Sequence, residues 1–220
     1  MIYTKFNEYM NIENNFKYDL QYPSFYKFKN TMYNINQDIL STLNKTIKLD
    51  IKTFKDGIKS EDEEFNKDNQ PENKFFNISS NYSVTFNKNY VLSCILNLNV
   101  NSNVNVNYNE LYNYNFDLLT GQKITLKDVF NPNVNYIKLI TDYTKYKINQ
   151  NKTLYYDNVF IEITEDQAFY LTDNSIVIYF DVDSIADKSL GIPKFKMEFK
   201  KFMPYINPKF YCSAQNIIKN

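Results

Sequence analysis

A-F-Y-L-T-D-N-S-I-V-I-Y-F-D-V-D-S-I-A-D-K-S-L-G-I-P-K-F-K-M-E-F, residues Ala168–Phe199, is the stretch whose reading decides the fold. Two apolar runs, Phe169–Leu171 and Ile176–Phe180, flank the turn residues Thr172-Asp173-Asn174-Ser175. The runs are β-branched and aromatic and too short for helices, so they read as strands. Ile176–Phe180 is apolar at every position, which predicts a strand covered on both faces. Downstream, Lys194, Lys196, Glu198 and Lys200 alternate with Phe195, Met197 and Phe199, the pattern of a strand with one wet face. Between them lies Asp181–Pro193, a loop with three aspartates and Gly191.

Working outward, Ile35, Ile39, Leu43, Ile47, Ile51, Phe54 and Ile58 recur every three or four residues and form one apolar stripe. The spacing predicts a helix from about Thr31 to Lys59, roughly 43 Å long, that must lie on a sheet. Gly57 and the acidic run Glu61–Glu64 are expected to weaken its C-terminal end, and Lys67–Asn73 reads as a mobile loop. Ile2–Phe6 and Phe16–Tyr22 read as short strands, the second stopped by Pro23. A meander follows. Tyr82, Val84 and Phe86 alternate with polar residues, Asn87-Lys88-Asn89 turns the chain, and Leu92, Cys94, Leu96, Leu98 and Val100 share a face. Asn101-Ser102-Asn103 is expected to make the next turn before Val104–Phe116 returns, since Asn tolerates the left-handed backbone that hairpin turns need. One unbroken strand from Tyr90 to Tyr108 would be far longer than usual. Thr120-Gly121-Gln122 is a turn, Ile124–Phe130 a short extended piece plus a helical turn, and Pro132–Asn149 a second helix with Val134, Ile137, Ile140 (or Leu139), Tyr143 and Ile148 inward. Strands joined by tight turns, with two helices between groups of them, predict an α+β fold: antiparallel sheets covered by one long and one shorter helix, in two subdomains. These divide as residues 1–115 and 116–205, with 206–220 as a tail.

Composition narrows the function classes. The 220 residues balance 25 basic against 25 acidic side chains, and every basic residue is Lys. A nucleic-acid binder would carry a basic excess, so no nucleic-acid partner is expected. Asp50–Glu72 carries eight acids against four lysines, and Lys188–Asn220 seven lysines against Glu198, which read as solvated surface. Asn is roughly one residue in seven, the mark of an AT-rich genome of low-GC Firmicute type. No apolar run is long enough to span a membrane. The N-terminus lacks the apolar core of a signal peptide. The expected compartment is the cytoplasm as the chain is written, or the cell envelope if a leader was removed. Cys94 reads as a small buried hydrophobe, and pairing with Cys212 is left open. Oligomeric state is not readable.

Histidine is absent, which removes His-based nucleophile activation, His metal ligation and the commonest general base. There is no thiolate cluster for zinc and no glycine-rich phosphate cradle among three glycines, so no cofactor or metal is expected and the chain does not read as an enzyme. Asp181, Asp183 and Asp187, with Lys188, form the candidate ligand-binding loop. Their spacing lacks the Gly and distal Glu of a calcium loop. Glu162 and Glu165 are the pair that could serve a carboxylate hydrolase. Tyr108, Tyr112, Tyr114, Tyr143, Tyr146, Tyr155 and Tyr156 could form a sugar- or peptide-binding face.

F-D-L-L-T-G-Q-K-I-T-L-K-D-V-F, residues Phe116–Phe130, is similar to a signature of the bacterial family of paired modules found in the ectodomain of RsiV-type anti-sigma factors and the N-terminal part of PdaC-type peptidoglycan deacetylases. A-F-Y-L-T-D-N-S-I-V-I-Y-F followed by S-I-A-D-K-S-L-G-I-P-K-F-K-M resembles the family's second signature. Y-D-L-Q-Y-P (Tyr18–Pro23) with N-I-N-Q-D-I (Asn34–Ile39) looks like the opening of the first module. The resemblance covers about 15–205 and implies a PdaC-type module followed by an RsiV-type module. It implies a non-catalytic binding module whose partner is a protein such as lysozyme, or cell-wall glycan such as peptidoglycan. An intracellular or sporulation-associated structural protein of the same fold is the alternative. The chain departs from the pattern at Asn101-Ser102-Asn103, where relatives carry a Gly-rich hairpin, and at Asp187-Lys188, where they tend to have Pro-Tyr.

Overall fold

The computed structural model describes residues 2–13, 15–27, 35–67, 75–103 and 107–212. Two sheets form. Strands β1 (Tyr3–Glu13), β2 (Phe16–Tyr26), β3 (Phe76–Lys88), β4 (Val91–Ser102) and β5 (Tyr108–Asp117) make a five-stranded sheet in chain order. Strands β6 (Phe169–Thr172), β7 (Ser175–Tyr179) and β8 (Lys194–Glu198) make a three-stranded antiparallel sheet with β7 in the middle. Helix α1 (Gln37–Lys67) connects β2 to β3, and α2 (Leu126–Val129) and α3 (Tyr136–Gln150) fall between β5 and β6. A short α4 (Phe199–Phe202) follows β8. The class is α+β. The chain divides into two compact units, one of Met1–Ser83 with Leu96–Tyr112 and the other of Val84–Ile95 with Asn113–Asn220.

In the first unit the isoleucine stripe does what its period demands. Ile35, Leu40, Leu43, Ile47, Ile51, Phe54 and Ile58 are buried, with α1 against β2, whose Phe16, Tyr18 and Leu20 are buried in turn. Asn44 latches the helix to the strand end. Its Oδ1 accepts the Phe25 N–H at 2.7 Å and its Nδ2 donates to the Phe25 carbonyl at 3.0 Å. The helix runs on through Gly57 and the acidic run to Lys67, against the expectation that it would weaken there. Ile58 buried beside Gly57 holds that turn down, which outweighs the roughly 1 kcal/mol propensity cost of one glycine. The expected helix start near Thr31 and, of the expected loop Lys67–Asn73, all but Lys67, which ends α1, fall outside the described residues.

Both N-terminal strands are longer than read. β2 continues through Pro23 to Tyr26. The parallel ladder between β2 and β3 covers only Phe16–Leu20 against Phe76–Ser80, so the proline, which has no N–H to give, comes after that ladder has ended. This parallel pairing is a departure from a purely antiparallel reading, and the α1 crossover is what permits it.

The second unit is built around the Ala168–Phe199 stretch. All five residues of β7 are buried, as a strand covered on both faces requires. In β8, Phe195 and Met197 are buried and Lys194 and Lys196 exposed, but the strand stops at Glu198 and Lys200 lies in α4. β3 and β4 join through Asn89-Tyr90, with φ of 51° and 60°, one residue later than the expected turn. β4 ends at Ser102 and β5 starts at Tyr108, so the single long strand is ruled out. A capping box of Thr125 and Asp128 starts α2. α3 begins at Tyr136 rather than at Pro132, because Asn135 caps it by accepting the Lys138 N–H at 3.0 Å. Ile140, Thr144 and Ile148 are its buried residues, while Val134, Ile137 and Tyr143 pack at the core's margin. Residues beyond 205, read from sequence as a tail, bring Ile206 and Phe210 into the same core. Cys94 is buried, both cysteines are free, and burial pushes the Cys94 thiol up to about 12.

Candidate functional site

The loop that leaves β7 is exposed in its side chains and pinned in its backbone. Phe180 meets Phe195 edge to face, with ring centres 5.7 Å apart, and so fixes the exit from the sheet. The Asp181 carbonyl accepts the Ser184 hydroxyl at 2.6 Å and the Ser184 N–H at 3.3 Å, closing a turn in which Asp183 has φ of 67°. That left-handed backbone disfavours a residue with a Cβ. Here the Tyr156 hydroxyl donates to Asp183 Oδ1, and the Tyr156 N–H donates to the Ile185 carbonyl at 3.1 Å. Ile185 and Ala186 turn inward and are buried, anchoring the middle of the loop. Asp187 then accepts the Ser189 N–H at 2.8 Å and caps the 3₁₀ turn Lys188–Leu190, which closes at Gly191 with φ of 71°.

Asp181, Asp183, Asp187 and Lys188 all face solvent. The bond to Asp183 is the chief reason the Tyr156 hydroxyl is pushed up to about 12, with burial and the Asp183 and Asp187 charges adding to it. The Ser189 side chain and N–H hold the Asp187 carboxyl below its ordinary value. The result is an acidic surface whose shape is set before any partner arrives. Tyr156 is the member that sequence reading missed as part of the loop. It lies 27 residues upstream of Asp183, and nothing in its neighbourhood marks it.

Among the described residues no three carboxylate, thiol or imidazole groups are placed to share a metal ion. Glu162 and Glu165 are both exposed on the segment that precedes β6. The tyrosines grouped in the sequence serve separate purposes. Tyr114 is buried, Tyr143 donates to the Lys196 carbonyl at 2.5 Å, and Tyr155 stacks on Phe195 at 5.9 Å.

Two further features were hidden in the Asn-rich pattern. Asn115, wholly buried, donates to the Phe169 carbonyl at 2.8 Å and accepts the Ser93 hydroxyl at 2.6 Å. Ser93 in turn accepts the Leu171 N–H at 3.0 Å. These side chains satisfy the outer backbone edge of β6, which has β7 on its other side. A groove of about 520 Å³ lies between the β5–α2 connection and the Asn207–Phe210 segment. On its wall, Asp117 accepts Lys209 Nζ at 2.6 Å together with the N–H groups of Leu119 and Thr120.

Residues 127–200 match the profile of DUF3298, a protein family of unknown function. None of the curated proteins matches the chain. Two solved structures are similar over nearly the whole length. One, a member of the DUF3298 family from Bacteroides fragilis, shares 14% identity and superposes with a TM-score of 0.66, covering 94% of each chain. The other, a DUF3298 family protein from Pseudomonas aeruginosa, shares 12% identity at a TM-score of 0.63, covering 96% of this chain and 97% of that one. At such identities the likeness is one of fold. Among the described residues no helix is long and apolar enough to cross a membrane.

Proposed function

We propose that the chain is a non-catalytic binding module of the kind its motifs resemble, the paired PdaC-type and RsiV-type modules. Its partner is a protein such as lysozyme, or cell-wall glycan. The observation that carries this reading is the pinned acidic loop. Asp181, Asp183 and Asp187 face outward on a backbone fixed by Tyr156, Ser184, Ile185 and Ser189. A loop ordered before contact loses little conformational entropy on binding, and that loss is one of the main costs of association. Outward carboxylates favour a surface that offers basic groups, mainly by steering its approach. Glu162 and Glu165 lie open to solvent, an arrangement that gives a carboxylate hydrolase no enclosed site.

The test is co-sedimentation with insoluble peptidoglycan sacculi alongside pull-down on immobilised lysozyme. Retention by either one supports the module. Loss of the chain to the flow-through in both would end the reading. Cell fractionation separates it from the intracellular structural alternative, since a binding module of this kind works outside the membrane.

A further inference from the structure

Along α1, Lys45, Lys48, Lys52 and Lys55 follow one another at intervals of three and four residues and form a single stripe, about 15 Å from first to last. They line one side of a groove of about 580 Å³. The floor is apolar and aromatic, with buried Leu20 and Ile51 below, Tyr9 and Tyr22 from the strands, and Leu49 left 62% exposed. The Lys55 ammonium sits 5.6 Å from the centre of the Tyr9 ring and 5.4 Å from that of Tyr18. Glu8 is the acidic residue of the lining, and it accepts from Gln21. Among the described residues, Lys45, Lys48 and Lys52 form no ion pair.

Lysines on an outer helix face ordinarily serve solubility alone. Here they rim a concavity that keeps apolar and aromatic surface in water, which asks for a ligand with negative charge along one edge and a flat, weakly polar body. We propose that this groove binds a carboxylate-bearing glycan. Tyrosine rings offer flat faces to sugar rings while keeping their hydroxyls wet. Lysine takes a carboxylate as a point charge and needs no bidentate geometry. An extended acidic peptide fits less well. Its same-face charges repeat about every 6.6 Å, whereas the lysines rise by about 4.5–6 Å, so the two fall out of step within three charges. The proposal deepens the glycan arm of the binding reading and rests on it, with residues of its own.

The experiment titrates the purified chain with a galacturonate hexamer, a neutral hexasaccharide and hexaglutamate, in low and high salt. The galacturonate hexamer binds, the neutral sugar does not, and affinity falls as salt rises. Lys48→Ala with Lys52→Ala, both exposed positions, weakens binding about tenfold without changing the melting temperature. Lys194→Ala, at an exposed position of β8, leaves sugar binding intact. Absence of hexamer binding, equal binding by the lysine variant, or hexaglutamate binding as tightly as the sugar each overturns the groove proposal. Lysozyme and sacculi assayed on the same samples report the module reading separately. If the lysine variant keeps sugar binding while the chain is still retained by lysozyme or sacculi, the groove fails and the module reading stands.

Discussion

Replacing Asn115 by Ala isolates the polar node that holds β6. The side chain is 0% exposed, and its loss leaves the Phe169 carbonyl and the Ser93 hydroxyl each without the partner it has now, at 2.8 Å and 2.6 Å. A buried polar group stripped of its partner costs about 1–3 kcal/mol, so two of them place the loss near 3 kcal/mol. For a chain of this length that corresponds to a fall in melting temperature of about 6–12 °C. Asn115→Asp costs more at neutral pH, because it keeps the acceptor, removes the donor to Phe169 and buries a charge. Ser93→Ala orphans the Leu171 N–H and the other end of the same bond, so the double variant loses less than the two singles added together. Urea and thermal unfolding of the four proteins provide the measurement, with exposed Asn77→Ala as control. If Asn115→Ala unfolds within about 0.5 kcal/mol of wild type, the node is not holding β6, since substitutions away from such features stay within that range.

Substitutions at three other positions test other parts of the fold. Asn44→Ala removes both bonds to the Phe25 backbone and destabilises by about 1–3 kcal/mol in a denaturant melt, whereas Asn44→Asp keeps the acceptor and recovers part of it. Thr144→Val stabilises by about 1 kcal/mol, a rise of about 2–4 °C by calorimetry, because the buried Thr144 hydroxyl has no hydrogen-bond partner among the described residues. Asp117 titrates through opposing effects: burial raises its pKa, but Lys209 and the N–H groups of Leu119 and Thr120 outweigh this and the net direction is down. A carboxyl with its folded value depressed stabilises above its unfolded value, about 3.9, and loses that contribution as pH falls through the folded one. The melting temperature of Asp117→Asn therefore lies below wild type at neutral pH, and the gap closes on acidification.

The most legible elements were those whose apolar period matches their burial. Ile176–Phe180 predicts a doubly covered strand, and β7 is buried at all five positions from Ser175 to Tyr179, with Phe180 half-buried just past its end. The stripe from Ile35 to Ile58 predicts a long helix on a sheet, and those positions point inward apart from Ile39, which is half-buried. What escaped reading depends on partners distant in sequence. Nothing local to Pro23 says that the parallel ladder ends at Leu20, so a stop there was the natural reading. Gly57 looks like a breaker until the burial of Ile58 is known. Asn115 is one Asn among many on its strand, and only the approach of Phe169 and Ser93 distinguishes it. The aspartate loop was visible as turn residues between two strand-like runs, but its fixed shape comes from Tyr156, which the chain supplies from elsewhere.

The most direct test of the binding role is a calorimetric titration of lysozyme, and in parallel of soluble peptidoglycan fragments, into the wild-type chain and into Asp181→Asn with Asp187→Asn. The account predicts a saturable isotherm for one of the two ligands with wild type and a markedly weaker one with the loop variant, while both proteins melt at the same temperature. Flat isotherms for both ligands, or identical affinity in the two proteins, would contradict it.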